Sequence, residues 1–136
     1  MTPELTFTAL AALLTAVMWV PYIVGVNAAP AEADAPDPFH RPPDPARQRP
    51  WVHRAHRAHL NQVETLAPHA ALVLIAHAAG VSTPVTVWAC GLYLALRLAH
   101  AVGMVTGTAR FPLRPILFTA ATLCTVAVGV EVLLVG

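Results

Sequence analysis

Arg54-Ala55-His56-Arg57-Ala58-His59-Leu60-Asn61-Gln62-Val63-Glu64 opens a stretch that continues through Pro68 into an apolar tail ending at Gly80. Arg57, Asn61 and Glu64 stand at i, i+4 and i+7, so a helix puts them on one face. An ionisable group at membrane depth costs roughly 2.5–3.5 kcal/mol on insertion scales and usually meets a site or a partner. If this stretch crosses a membrane, that face is where function is to be sought.

Composition points to a membrane. The chain is 57% hydrophobic and 11% charged, against about 25% charged residues in a soluble domain. Its mean hydropathy is +0.61. Four apolar segments, approximately 5–26, 53–79, 84–106 and 112–135, are each long enough to cross a core that needs about 20 helical residues. Strand-like alternation is absent, so helices are the spanning option. The expected fold is an all-α integral membrane protein, a four-transmembrane-helix bundle forming one domain over residues 1–136. The first segment has a small-residue stretch after Val26 that resembles a cleavage region. It lacks a positive start and its apolar run is too long, so it reads as a retained span.

Arginine sets the expected orientation, because the chain has no lysine. Arg41, Arg47, Arg49, Arg54 and Arg57 lie in or just after the first connection, and Arg110 and Arg114 at the third. The positive-inside rule puts both connections in the cytoplasm and both termini outside it. The connection 27–50 is rich in proline and acidic residues. It reads as a solvated linker, with a lid over a cytoplasm-facing pocket as the alternative. A net charge of +1, with no basic patch interleaved with aromatics, gives no reason to expect a nucleic-acid partner. Membrane lipid is the expected surroundings.

Counting along the helices gives depth. Glu64, Arg97 and His100 fall within roughly 5 Å of one another in depth if the second and third spans are antiparallel neighbours. A Glu64–Arg97 ion pair with His100 nearby follows, since a pair partly offsets its own desolvation. Arg57 and Asn61 would then remain on the stripe as an anion-binding cleft. Tyr93, Arg97, His100 and Met104 form a second polar stripe. So large a polar interior exceeds what four helices hold, which favours an oligomer with sites between subunits. Gly103 and Gly107 have G-x-x-x-G spacing, a weak sign of close helix contact. No metal is expected: His53, His56 and His59 diverge around a helix, the first and third by about 120°. A bis-histidine haem on His77 and His100 fails on depth. Cys90 and Cys124 read as small apolar residues in spans.

The run Arg54-x-x-Arg57-Ala-His-x-Asn61-x-x-Glu64-x-x-x-Pro68, then Arg97-x-x-His100, then Arg110-x-Pro-x-Arg114, resembles the MAPEG family, the membrane-associated proteins in eicosanoid and glutathione metabolism. The likeness is to bacterial-type members and covers nearly the whole chain. It implies a bacterial inner-membrane setting and a homotrimer with glutathione bound between subunits, open to the cytoplasmic side. It implies that Arg57, Asn61, Glu64, His100 and Arg114 contact or support the cofactor, and that Arg97 is the buried partner of the glutamate. Arg114 becomes the candidate thiolate stabiliser. Departures from the family pattern stand beside this. Leu60 replaces a second helix-two arginine, Met104 and Phe118 replace tyrosines, Pro115 follows Arg114 where one branch has serine, and the first span has no basic residue. A thiol with a pKa near 8.5 needs a nearby cation or donor to ionise at neutral pH.

Two functions are therefore expected to compete. One is a transferase or peroxidase using glutathione or another thiol on a lipophilic small molecule. The other is a non-catalytic scaffold, a lipid-binding or accessory subunit. A transporter is disfavoured by small size and the lack of broken, repeated helices.

Overall fold

The computed structural model describes residues 1–28, 44 and 47–136. Five helical segments follow in order: α1 Pro3–Val17, α2 Trp19–Asn27, α3 Pro50–Ala78, α4 Pro84–Thr106 and α5 Leu113–Val135. Met18, itself in helical conformation, joins α1 to α2, so the two make one 25-residue rod. The result is four helical rods, with no strand among the described residues. The linker or lid expected over 27–50 lies mostly outside the described residues.

Local chemistry explains the helix boundaries. Thr2 caps α1 by accepting from the Leu5 amide, and Pro3 follows it. Pro50 sits where a helix tolerates proline, so α3 begins three residues before the expected span. Thr83 and Thr86 form a reciprocal capping box at the start of α4. Gly107 ends α4 in the left-handed region, with φ 83°. A Cβ there would also lie 2.9 Å from Arg54 Nη2, so this position favours glycine twice over. Pro68 lies inside α3 and has no amide to offer the Glu64 carbonyl.

Three rods are long and apolar enough to cross a membrane: Pro3–Asn27, Pro84–Thr106 and Leu113–Val135. At 29 residues, α3 has the length, but its first half is too polar to qualify by composition. α4 lies against α1, α3 and α5 and is the most enclosed rod. The main core gathers Ala11, Val73, Ala89, Cys90, Tyr93, Ala121, Cys124 and Val128. Both cysteines are free and buried. A smaller cluster, Met18, Ala58, Ala101 and Met104, packs near the other end. Large apolar residues such as Leu13, Trp88 and Leu133 face outward, as lipid-covered helices require.

Candidate functional site

An open cleft of about 360 Å³ lies between the start of α3, the end of α4 and the start of α5. Its walls are Arg57 and Asn61 from α3, His100 from α4, and Arg114, Pro115, Phe118 and Thr119 from α5. Four residues named from the sequence as ligand contacts thus meet in one place, although they are spread over 58 positions of the chain (57 to 114). Helical spacing does this. Arg57 and Asn61 are one turn apart, as are Arg114 and Phe118, and Pro115 and Thr119.

The side chains differ in freedom. Arg57 and Arg114 are exposed, so their guanidiniums stand ready for an outside anion. His100 is almost wholly buried, and neither ring nitrogen has a hydrogen-bond partner. Glu64 is exposed and does not line the cleft. It acts one step back, accepting from Asn61 Nδ2 at 3.3 Å.

The expected Glu64–Arg97 ion pair is not made within the chain. Arg97 is fully buried, and its Nε donates to Gln62 Oε1 at 2.6 Å. Its two terminal nitrogens have no hydrogen-bond partner. The depth count was sound, because residues 62 and 97 do stand side by side. The azimuth was not: two positions along a helix turn by about 200°, so Gln62 faces inward and Glu64 outward. The second stripe is corrected likewise. Tyr93, Arg97, His100 and Met104 are all buried inside the single subunit. Four helices therefore do hold this polar interior, and the stripe gives no argument for an oligomer.

Tyr93 is not near the cleft. Its ring stacks on His69 with centroids 3.7 Å apart and planes 4° from parallel. His69 Nδ1 bonds Thr125 Oγ1 at 3.1 Å. His69 packs between helices, as its place in the span leads one to expect, while Gln62 was missed by sequence reading; both fall on the stripe Val52, Ala55, Ala58, Gln62, His69, Val73, Ala76 that α3 buries. Thr119 was also missed. It is the only hydroxyl in the cleft wall among the described residues, and it stands one turn after Pro115.

Arg54 and Arg110 serve the end of α4. Arg54 Nε donates to the Met104 carbonyl at 3.0 Å, and Arg110 Nε to the Gly107 carbonyl at 3.4 Å. Arg110 does not line the cleft, leaving Arg57 and Arg114 as its cations among the described residues. His56 stacks on Tyr22 at 4.4 Å rather than grouping with His53 and His59. Gly103 approaches Ala109 within its own chain, where an added Cβ would meet Ala109 Cβ at 2.7 Å.

Compared with known protein families, residues 6–134 match the MAPEG family. The chain belongs to that family. Among curated proteins no sequence matches it. As a MAPEG member with three helices able to cross a membrane by length and composition, it is an integral membrane protein. Within this MAPEG chain the cleft is built from the ends of three rods and opens outward, which leaves one side for whatever adjoins it.

Proposed function

We propose that this MAPEG protein binds a thiol tripeptide, with glutathione as the candidate, and uses it in transferase or peroxidase chemistry on lipophilic electrophiles. The supporting observation is the joining of Arg57, Asn61, His100 and Arg114 in one outward cleft. Two exposed guanidiniums suit the two carboxylates of such a ligand, because a guanidinium grips a carboxylate through paired N–H donors. Asn61 is oriented by Glu64 and offers its carbonyl to a ligand donor. The buried ring nitrogens of His100 gain a partner when a ligand fills the cleft.

Arg114 and Thr119 are the groups for the thiol. A cation beside sulfur favours the thiolate, and a hydroxyl donates to it. Phe118 and Pro115 give the adjoining apolar wall against which a lipophilic substrate packs. A homotrimer, with a neighbouring subunit closing the open side of the cleft, is part of this reading, as is a cytoplasm-facing opening.

One observation favours a non-catalytic module: Thr119 alone supplies a hydroxyl to the wall. Calorimetry of glutathione on detergent-purified protein separates these readings. Saturable binding that Arg57→Ala abolishes is expected. Unchanged affinity in that variant would overturn the site. Binding with no thiol-dependent turnover across a panel of electrophiles would favour the module. Thr119→Val is expected to keep binding while slowing turnover by about tenfold.

A further inference from the structure

We propose that the end of the bundle opposite the cleft carries a second site, one that takes a primary ammonium group on a short carbon stem. It does not rest on the thiol reading and uses none of its residues.

The site centres on Glu4, in the first turn of α1. This carboxylate is 96% buried (4% exposed). Its Oε1 accepts from Ser82 Oγ at 2.8 Å and Thr86 Oγ1 at 2.7 Å. Its Oε2 is buried with no hydrogen-bond partner. The two bonds that tie α1 to the start of α4 use one carboxylate oxygen, and a buried acceptor left unpaired is destabilising. Glu4, Ser82 and Thr86 line a cavity of about 240 Å³ where α1 and α4 begin, α3 ends and α5 approaches its end. The negative charge is supported by two hydroxyl donors and by the first turns of α1 and α4, whose amides present positive dipole ends.

The wall therefore has a negative charge and spare acceptor capacity. Glu4 Oε2 is unpaired, and the Ser82 hydroxyl, having donated its proton, can still accept. A primary ammonium brings three N–H donors and a positive charge, which matches that wall. A hard metal ion wants about six or more oxygen ligands, more than one carboxylate and the hydroxyls of Thr2, Ser82 and Thr86 supply. Val73, Val81 and Val128 line the rest and suit methylene groups. The volume is below the roughly 300 Å³ at which drug-sized pockets begin, so the stem is short. His77 is the other titratable group in the wall and lies exposed at its rim. Because the rods begin and end here, the cavity stands where headgroups and water meet. An ethanolamine lipid headgroup and a free aliphatic amine carry the same chemistry to it.

The test places purified protein in nanodiscs of equal phosphatidylethanolamine and phosphatidylcholine and reads retained lipid by native mass spectrometry. In parallel, ethylammonium is titrated into phosphatidylcholine-only discs and thermal unfolding is followed. Retention of the ethanolamine lipid by about tenfold, lost in Glu4→Gln and kept in Arg57→Ala, would support the site with a lipid source. Stabilisation by ethylammonium without lipid preference would support it with a free source. Absence of both, or a preference unchanged in Glu4→Gln, would overturn it. Should Glu4→Gln not fold, wild-type protein still decides. Ethylammonium must stabilise it at about tenfold lower concentration than tetramethylammonium, which has no N–H; equal effects would overturn the proposal.

Discussion

Asn61 lines an open cleft, whereas Gln62, the next residue, is wholly buried against Arg97. The two belong to polar regions of opposite character on the same rod. The inward region, Gln62–Arg97 with Tyr93–His69–Thr125, ties α3 to α4 and α5 through short hydrogen bonds and a ring stack. The side chains of the outward region, Arg57, Asn61, His100 and Arg114, make one hydrogen bond among the described residues, from Asn61 to Glu64. Polarity inside a membrane helix thus has two uses, and about 100° of rotation per residue decides between them. Groups that hold rods together each find at least one partner within the chain, Arg97 on Gln62 and His69 on Thr125. In the outward region the two guanidiniums of Arg57 and Arg114 stand exposed on the cleft, while His100 is buried behind them.

Substitutions on the two sides should part widely. Gln62→Leu has the largest expected effect. It strips the buried Arg97 guanidinium of its hydrogen bond and should lower stability by about 3 kcal/mol in reversible detergent unfolding. Adding Arg97→Met should restore most of that, because an apolar pair leaves no stranded charge. A double variant as unstable as the single one would mean that Arg97 has a role beyond this bond. Next comes His69→Ala, which removes a stacked ring and the bond to Thr125 and leaves a cavity; a loss of about 2–3 kcal/mol is expected. Gly107→Ala should be milder, about 1–2 kcal/mol, from strain at positive φ and displacement of Arg54. The smallest effect belongs to the outward region. Arg57→Ala should change stability by less than about 0.5 kcal/mol while removing glutathione binding. A marked drop in its melting temperature would erase the contrast between the two regions.

The rods were legible in the sequence because lipid imposes length and apolarity on each of them. Pro3, Pro50 and Pro84 stand at helix starts and Gly107 at a helix end, where the sequence carries its boundary signals. Arg57, Asn61, His100 and Arg114 were legible as a group, and the structure brings them to one cleft. What sequence reading lost was rotation. Depth follows from counting residues, but which of Gln62 and Glu64 meets Arg97 depends on which face α3 turns inward. That face could have been fixed from the small residues Ala55, Ala58 and Ala76, which mark where the rods approach closely. The attraction of opposite charges pointed to Glu64, and packing chose Gln62. Thr119 escaped notice because a lone threonine in an apolar run carries no signal of its own.

Arg54 and Arg110 each point at a carbonyl near the end of α4, Met104 and Gly107 respectively. Their charges oppose the negative end of that helix dipole. An approaching anion therefore meets Arg57 and Arg114 in the cleft wall, while Arg54 and Arg110 are turned to the end of α4. Its attraction is short in range, since salt near physiological strength screens exposed charges beyond about 8 Å. On the proposed reading, capture would depend on arriving in the right orientation more than on a field that gathers anions from afar, and the distance between two guanidiniums would select a ligand with two carboxylates at one spacing.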